Sequence, residues 1–263
     1  MSDKNRILMD IIDQEIAVIS LNRPEKLNAF TLSMVDLWLE FLETASRDPA
    51  VKVIVLTGVG RAFCAGGDID EMIAYAEKPV HEFKDFLWRH VQQIPLMLDR
   101  IEKPVIAAFN GLARGAGLDM GLMCDIRLAA ESAVFGEAYI NMGMIAGDGG
   151  TYFLPRLVGT AKALELFWTG RDVSATEAER IGLVNTVVAD DQLMTLALDL
   201  ARKIAAQPQE AIRLFKRTVY QGLKSDLPTH LDMVSSHMAV LKSTPDHQAR
   251  IRAFKRRKTS SKP

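Results

Sequence analysis

Two glycine-rich segments contain the residues of this chain that are best suited to chemistry. The first, TGVGRAFCAGGDIDEM, includes Gly66 and Gly67, and the second, NGLARGAGLDMGLMCD, includes Gly115 and Gly117. Each segment follows a predicted strand and precedes a predicted helix. Glycines let a ligand approach the backbone closely, and a helix N-terminus offers N–H groups without an intrahelical partner. We therefore expect each segment to bind an anion. If the two converge, they would form a two-donor oxyanion hole suited to an enolate.

Other catalytic and nucleotide-binding motifs do not fit these segments. The pattern Gly58-x-Gly60 continues to Phe63, where the dinucleotide fingerprint GxGxxG requires a glycine. The chain contains neither GxxxxGK[ST] nor GxSxG, and its histidines lie outside the glycine-rich segments. The sequence thus predicts a site of backbone donors without an obvious nucleophile.

The elements that must position these segments alternate between strands and helices. The hydrophobic spacing predicts a strand at 16–22, a helix at 32–45, a strand at 51–58, a helix at 83–101 with a kink at Pro95, and a strand at 104–109. This order of strand, helix and strand implies a mostly parallel sheet, and therefore an α/β fold.

The C-terminal part of the chain has a different pattern. After a last strand at 184–188, the spacing predicts only helices, at 192–206, 209–222, 227–241 and 245–254. We expect residues 1–190 to form a core with the active site. Residues 191–263 are expected to form a helical region used in assembly. The terminal segment KRRKTSSKP is predicted to be a frayed tail.

The composition is that of an ordinary globular protein. Of 263 residues, 48% are hydrophobic and 25% are charged. The 32 Lys and Arg residues nearly balance the 33 Asp and Glu residues, which argues against a nucleic-acid partner. No apolar run approaches the roughly 20 residues of a membrane helix and no secretory segment is evident, so we expect a cytoplasmic location. Cys64 and Cys124 have neither disulfide nor metal-ligand spacing, so we expect reduced thiols and no metal site.

A family resemblance covers most of the chain in five ordered segments: LNRPEKLNAF, GRAFCAGGDIDEM, KPVIAAFNGLARGAGLDMGLMCDIRLAAESAVFG, GDGGTYFLPRLVG and TGRDVSATEAERIGLVNTVV. Together they resemble the enoyl-CoA hydratase/isomerase, or crotonase, superfamily. The resemblance implies a spiral of ββα repeats and a C-terminal helical region used in a trimer or a dimer of trimers. It also implies an acyl-CoA thioester as substrate, with no separate cofactor.

The resemblance assigns the backbone donors and the coenzyme A contacts to particular residues. The two oxyanion amides fall on Gly67 and Ala116. Because only backbone N–H groups are needed there, we expect Ala116 to supply the same donor as the more usual glycine. The stretches that line coenzyme A fall on Lys26, Leu27, Ala29, Ala65, Gly66, Gly67, Asp68 and Ile69.

The acid/base positions depart from the family's pattern. Hydratases of the family resemble one another in having two glutamates, whose positions are occupied here by Asp119 and Tyr139. Glu137 is a displaced candidate for the second. Dienoyl-CoA isomerases are similar to this chain in having Asp at the Asp119 position and a carboxylate at or near Asp148. The resemblance therefore implies that Asp119 and Asp148 transfer protons, while Tyr139 forms a pocket wall or donates a hydrogen bond.

Several reactions stay open at this point. Water addition is best served by two acids, so the loss of the second glutamate favours isomerisation over hydration. Hydrolysis, dehalogenation or C–C cleavage of an acyl-CoA, with Asp119 or Asp148 as nucleophile or base, is the alternative. RNA binding, through the basic tail, is a more distant one. The acyl group is not readable, although several apolar residues could line its pocket or simply pack in the core: Met72, Tyr75, Phe86, Trp88, Met142, Met144 and Tyr152.

Overall fold

Ten strands lie within residues 5–260, which are the residues that the computed structural model describes. They are β1 (Ile7–Ile12), β2 (Ile16–Leu21), β3 (Val53–Gly58), β4 (Ala62–Cys64), β5 (Val105–Phe109), β6 (Leu112–Arg114), β7 (Ile126–Ala130), β8 (Val134–Gly136), β9 (Asp172–Ser174) and β10 (Thr186–Val188). The larger sheet has the order β1-β2-β3-β5-β7-β10, and the smaller has the order β4-β6-β8-β9. Only the pairs β1 with β2 and β8 with β9 are antiparallel. The predicted mostly parallel α/β architecture is confirmed.

Helices cover both faces of the larger sheet and form the C-terminal region. They are α1 (Leu32–Arg47), α2 (Ile69–Ala76), α3 (Val80–Phe86), α4 (Gln93–Arg100), α5 (Ala116–Leu122), α6 (Gly150–Val158), α7 (Thr160–Thr169), α8 (Ala175–Arg180), α9 (Leu193–Ala205), α10 (Gln209–Gly222), α11 (Leu227–Lys242) and α12 (Pro245–Ser260). The side chain of Thr31 caps α1 by accepting the N–H of Met34, and the Asp68 carboxylate caps α2.

The central strands of the larger sheet are buried on both faces. Ile54 and Leu56 of β3 belong to a core with α1 and α4, whereas Val53 and Val55 face α9. A strand that is covered on both faces has no solvent side to keep polar, which is why β3 and β5 are continuous hydrophobic runs in the sequence.

The predicted helical stretch over 83–101 is confirmed, but the predicted kink at Pro95 is wrong. The chain forms α3, a π turn over Leu87–Val91, and then α4. Pro95 lies in the first turn of α4, where its missing N–H removes no intrahelical hydrogen bond. The irregularity therefore comes before the proline, at the π turn.

The C-terminal helices differ in how they contact the core. Every fourth residue of α9, from Leu193 to Ala205, is buried against the larger sheet. By contrast, α10 and α11 carry no buried residue. The predicted frayed tail is wrong over residues 255–260, which continue α12, while residues 261–263 lie outside the described part. A boundary at residue 190 stays a prediction, with α9 packed on the core.

Cys64 and Cys124 are free thiols, and both are buried. Burial raises the pKa of each thiol to about 12, so both are uncharged and unreactive at neutral pH. Within residues 5–260, no helix combines the length and the apolar character needed to cross a membrane.

Candidate active site

The loop between β4 and α2 is held against the segment before α1 by backbone hydrogen bonds. The N–H of Phe30 donates to the carbonyl of Gly66 at 2.9 Å, and the N–H of Asp68 donates to the carbonyl of Phe30 at 2.9 Å. Successive N–H groups of an extended backbone point to opposite sides. The N–H of Gly67 therefore points away from Phe30.

The loop before α5 packs closely against this first loop. A Cβ atom added at Gly66 would lie 3.1 Å from the carbonyl oxygen of Arg114 and 3.8 Å from the nitrogen of Ala116. A Cβ atom at Gly117 would lie 2.2 Å from the carbonyl oxygen of Cys64. Only glycine allows the first turn of α5 to lie this close to the end of β4. The two glycine-rich segments thus converge, with Gly66 and Ala116 adjacent.

A cavity of about 850 Å³ opens where the two loops meet. Most of the residues predicted to contact coenzyme A line it: Lys26, Ala29, Ala65, Gly66, Gly67, Asp68 and Ile69. Leu27 is not among the lining residues. It has a left-handed backbone conformation, with a φ of 52°, and its carbonyl accepts the N–H of Ala65 at 3.0 Å. Its backbone therefore helps to hold the loop that forms the cavity wall.

The predicted acid/base residues form one buried cluster. The hydroxyl oxygen of Tyr139 lies 2.8 Å from Asp119 Oδ2 and 2.8 Å from Asp148 Oδ2. Glu137 lies beside Asp119, so a proton on either carboxyl can bridge the two. Of the four, Tyr139 and Asp148 line the cavity, whereas Asp119 is 0% exposed and lies behind Tyr139.

Three secondary-structure elements position the cluster. Asp119 is in the first turn of α5, Tyr139 is in a 3₁₀ helix over Ala138–Met142, and Asp148 precedes the N-terminus of α6. A Cβ atom at Gly150 would lie 2.2 Å from Asp119 Oδ1, so glycine is required where α6 meets α5. The N-termini of both helices favour negative charge in the cluster.

Burial dominates the electrostatics of the cluster. Burial first, and the charge of Asp148 second, raise the pKa of Asp119 to about 7. Burial also raises the pKa of Asp148, and the hydrogen bond from Tyr139 offsets part of this increase. Burial and the neighbouring Asp119 raise the pKa of Glu137 well above its ordinary value. The cluster therefore holds protons at pH values where exposed carboxyls are ionised.

The rest of the cavity wall is largely apolar. The rings of Tyr75 and Phe86 stack with their centroids 3.9 Å apart. Of the apolar residues considered from the sequence, those on the wall are Met72, Tyr75, Phe86, Met142 and Met144. Trp88 and Tyr152 are not among the lining residues and are exposed. The cavity can thus accept an apolar chain next to a polar reactive end.

Two residues that the sequence analysis did not single out hold the site together. Arg23 donates from Nη1 to the carbonyl of Ala29 at 3.0 Å and to the carboxylate of Asp68. Gln92 donates from Nε2 to the carbonyl of Gly147 at 2.7 Å, next to Asp148. The contacts of Arg23 with Asp68 and of Gln92 with Gly147 join residues 45 and 55 positions apart, so no local pattern could reveal them.

The chain is similar to known proteins over nearly its whole length. A family model described as enoyl-CoA hydratase/isomerase matches residues 12–261. A short-chain-enoyl-CoA hydratase of Clostridium acetobutylicum is 38% identical over 252 residues, with 93% of each chain covered. A 1,2-epoxyphenylacetyl-CoA isomerase of Escherichia coli is 34% identical over 247 residues, with 94% of each chain covered. The crystal structure of an enoyl-CoA hydratase from Bacillus anthracis has a TM-score of 0.90 at 36% identity, with 96% of each chain covered.

Proposed function

The chain belongs to the enoyl-CoA hydratase/isomerase family, and on that premise we propose that it interconverts 3-enoyl-CoA and 2-enoyl-CoA thioesters. As an acyl-CoA-transforming enzyme of this type it could hydrate or isomerise. The observation that favours isomerisation is the position of the acids, because Asp148 is the one carboxyl of the buried cluster that lines the cavity. A 1,3-proton shift needs a single base beside the α- and γ-carbons.

The backbone N–H groups of Gly67 and Ala116 are proposed to bind the thioester oxygen. Their support is the convergence of the two loops, since Gly67 points its N–H away from Phe30 and Ala116 adjoins Gly66. Two donors aimed at this oxygen stabilise the enolate more than the thioester, since the negative charge develops there. Removing one such donor raises the barrier by about 3–4 kcal/mol in comparable sites.

Asp148 is proposed to move the proton. Its Oδ2 atom accepts the Tyr139 hydroxyl, and its Oδ1 atom is buried without a hydrogen-bond partner within the described residues. The α-C–H bond breaks, the proton forms an O–H bond with the Asp148 carboxylate, and the electron pair passes into the dienolate. The same proton then forms the γ-C–H bond. Only a proton moves, so the proposed reaction needs no redox or metal cofactor.

Hydration would need a carboxylate pair around a water molecule, and the cluster does not offer one on the cavity wall. Tyr139 occupies the second position, and its hydroxyl already contacts Asp119 and Asp148. Asp119 has no exposed surface. A water in the cavity would therefore meet one carboxylate and one phenol.

Self-association is proposed to involve the C-terminal helices. Large apolar side chains are exposed there: Phe215, Val219, Leu223, Leu227, Leu231, Met238 and Phe254. Exposed apolar patches of this kind mark association surfaces. We expect sedimentation to give a trimer or a dimer of trimers.

The proposed reaction is tested by presenting 2-enoyl-CoA and 3-enoyl-CoA separately in D2O. We expect interconversion of the two and loss of activity by at least about 10²-fold in Asp148→Asn. A 3-hydroxyacyl product would show hydration instead, and free CoA would show hydrolysis. A wild-type enzyme that catalyses neither isomerisation nor α-proton exchange would refute the proposal.

A further inference from the structure

We propose that Asp119 acts as an uncharged hydrogen-bond donor that positions Tyr139 and, through it, keeps Asp148 ionised. This inference rests on the proposed function. It gives Asp119 a different role from that of a proton-transferring carboxylate. In the proposed chain, the Asp119 hydroxyl donates to Tyr139 Oη, and the Tyr139 hydroxyl donates to the Asp148 carboxylate.

The number of available protons requires one of the two acids to be protonated. The Tyr139 hydroxyl has one proton, yet its oxygen lies at hydrogen-bond distance, 2.8 Å, from both Asp119 and Asp148. The phenol can donate to only one of them. If both carboxyls were ionised, the other contact would place a lone pair against a carboxylate in a buried site. A proton on one carboxyl makes both contacts hydrogen bonds.

Exposure decides which carboxyl holds this proton. Asp119 is 0% exposed and does not line the cavity, whereas Asp148 lines the cavity and is 6% exposed. Burial disfavours the charged form of a carboxyl, most of all where the carboxyl has no surface on a cavity. Asp148, at the cavity wall, receives the Tyr139 hydrogen bond in its charged form. Asp119 is therefore the protonated member and Asp148 the ionised one.

The groups that surround Asp148 support this assignment. Within the described residues, no Lys, Arg or His forms an ion pair with Asp119, Glu137 or Asp148. The thiol of Cys64, on β4, stays neutral because burial raises its pKa to about 12. Tyr139 is thus the group that stabilises the Asp148 charge, and it is polarised from behind by Asp119.

Two substitutions of Asp119 separate donation from proton transfer. In Asp119→Asn the side-chain amide can still donate to Tyr139 Oη but cannot take up a proton at neutral pH. We expect kcat/KM for isomerisation to fall by less than about 10-fold. In Asp119→Ala the donor is lost, and we expect a fall of about 10²-fold, as for a misplaced catalytic group. Tyr139→Phe, which keeps the ring, should match Asp119→Ala.

The pH profile supplies a readout that a purely structural role would not move. The acid limb of kcat/KM reports the ionisation of Asp148 in the free enzyme. It should shift to higher pH in Asp119→Ala and in Tyr139→Phe, because the Asp148 carboxylate loses its polarised donor. In Asp119→Asn the limb should stay close to that of the wild type.

A matched control is available outside the cavity. Tyr220 donates to Asp125 Oδ1 at 2.8 Å and does not line the cavity. Tyr220→Phe removes a comparable buried hydrogen bond, and we expect it to leave the activity and the pH profile unchanged.

The outcomes distinguish this inference from the proposed function. If the wild type is active, Asp148→Asn is inactive, and Asp119→Asn loses as much activity as Asp119→Ala, then Asp119 transfers protons itself and the inference is wrong. The same conclusion follows if Tyr139→Phe keeps the wild-type profile. An inactive wild type would contradict the proposed function instead. Should Asp119→Ala fail to fold by circular dichroism, the comparison of Asp119→Asn with Tyr139→Phe decides.

Discussion

Substitution of Gly117 by alanine should separate the two loops that form the proposed oxyanion hole. The added Cβ would lie 2.2 Å from the carbonyl oxygen of Cys64 and 2.8 Å from its Cβ. Both atoms belong to a buried strand, so they cannot rotate away as a flexible side chain could. Either the start of α5 or the end of β4 must move, and Ala116 moves with α5. The change therefore acts on the spacing between Ala116 and Gly67.

The expected size of the effect follows from this overlap. Inserting a methyl group into a packed interior lowers the free energy of unfolding by about 1–3 kcal/mol. Because the added Cβ of Gly117→Ala meets backbone, we expect a decrease of about 3 kcal/mol. For a chain of this size, this lowers Tm by about 6–12 °C. A displacement of about 1 Å in a catalytic donor lowers kcat by about 10²-fold. The assay follows α-proton exchange of a saturated acyl-CoA in D2O by mass spectrometry, because this reports enolate formation whatever the final product.

Gly159→Ala is the matched control. Gly159 has a φ of 80° and a ψ of 156°, a conformation almost restricted to glycine, and a Cβ atom added there would have no atom within 4 Å. Alanine there should lower the free energy of unfolding by about 1–3 kcal/mol through backbone strain alone. We expect a lower Tm with an unchanged exchange rate. The assignment of the oxyanion hole would be refuted if Gly117→Ala exchanged the α-proton at the wild-type rate. It would also be refuted if both variants lost the same fraction of the exchange rate.

Three further predictions concern stability, binding and selectivity. The folded-state pKa of Asp119 is raised from 3.8 to about 7, so its contribution to stability is present below pH 4 and is lost as the pH rises to 7. Asparagine does not titrate. The free energy of unfolding of Asp119→Asn, measured by urea denaturation, should therefore increase relative to that of the wild type over this pH range. Arg23→Ala removes the cation beside Asp68, whose carboxylate still accepts the N–H groups of Asp70 and Glu71. We expect the free energy of unfolding to fall by about 2 kcal/mol and the KM for acyl-CoA to rise. Met144→Trp fills part of the cavity, and kcat/KM should fall for long acyl chains and stay similar for short ones.

Local sequence patterns could predict much of the fold. The buried strands β3 and β5 are continuous runs of apolar residues, and α10 has the predicted bounds. The strands of the smaller sheet are three residues each, too short to show a period, and were not predicted. The π turn was missed because hydrophobic spacing over five residues does not distinguish it from an α-helix.

The sequence by itself determined the family, the alternation of strands and helices, and the two glycine-rich loops, because these depend on residue type and short spacing. The tertiary structure alone decided which acids face the cavity. Tyr139 lies 20 residues from Asp119 and 9 from Asp148, yet its hydroxyl contacts both. Their protonation depends on burial and on mutual distance, and both arise only when α5, the 3₁₀ helix and the start of α6 pack together.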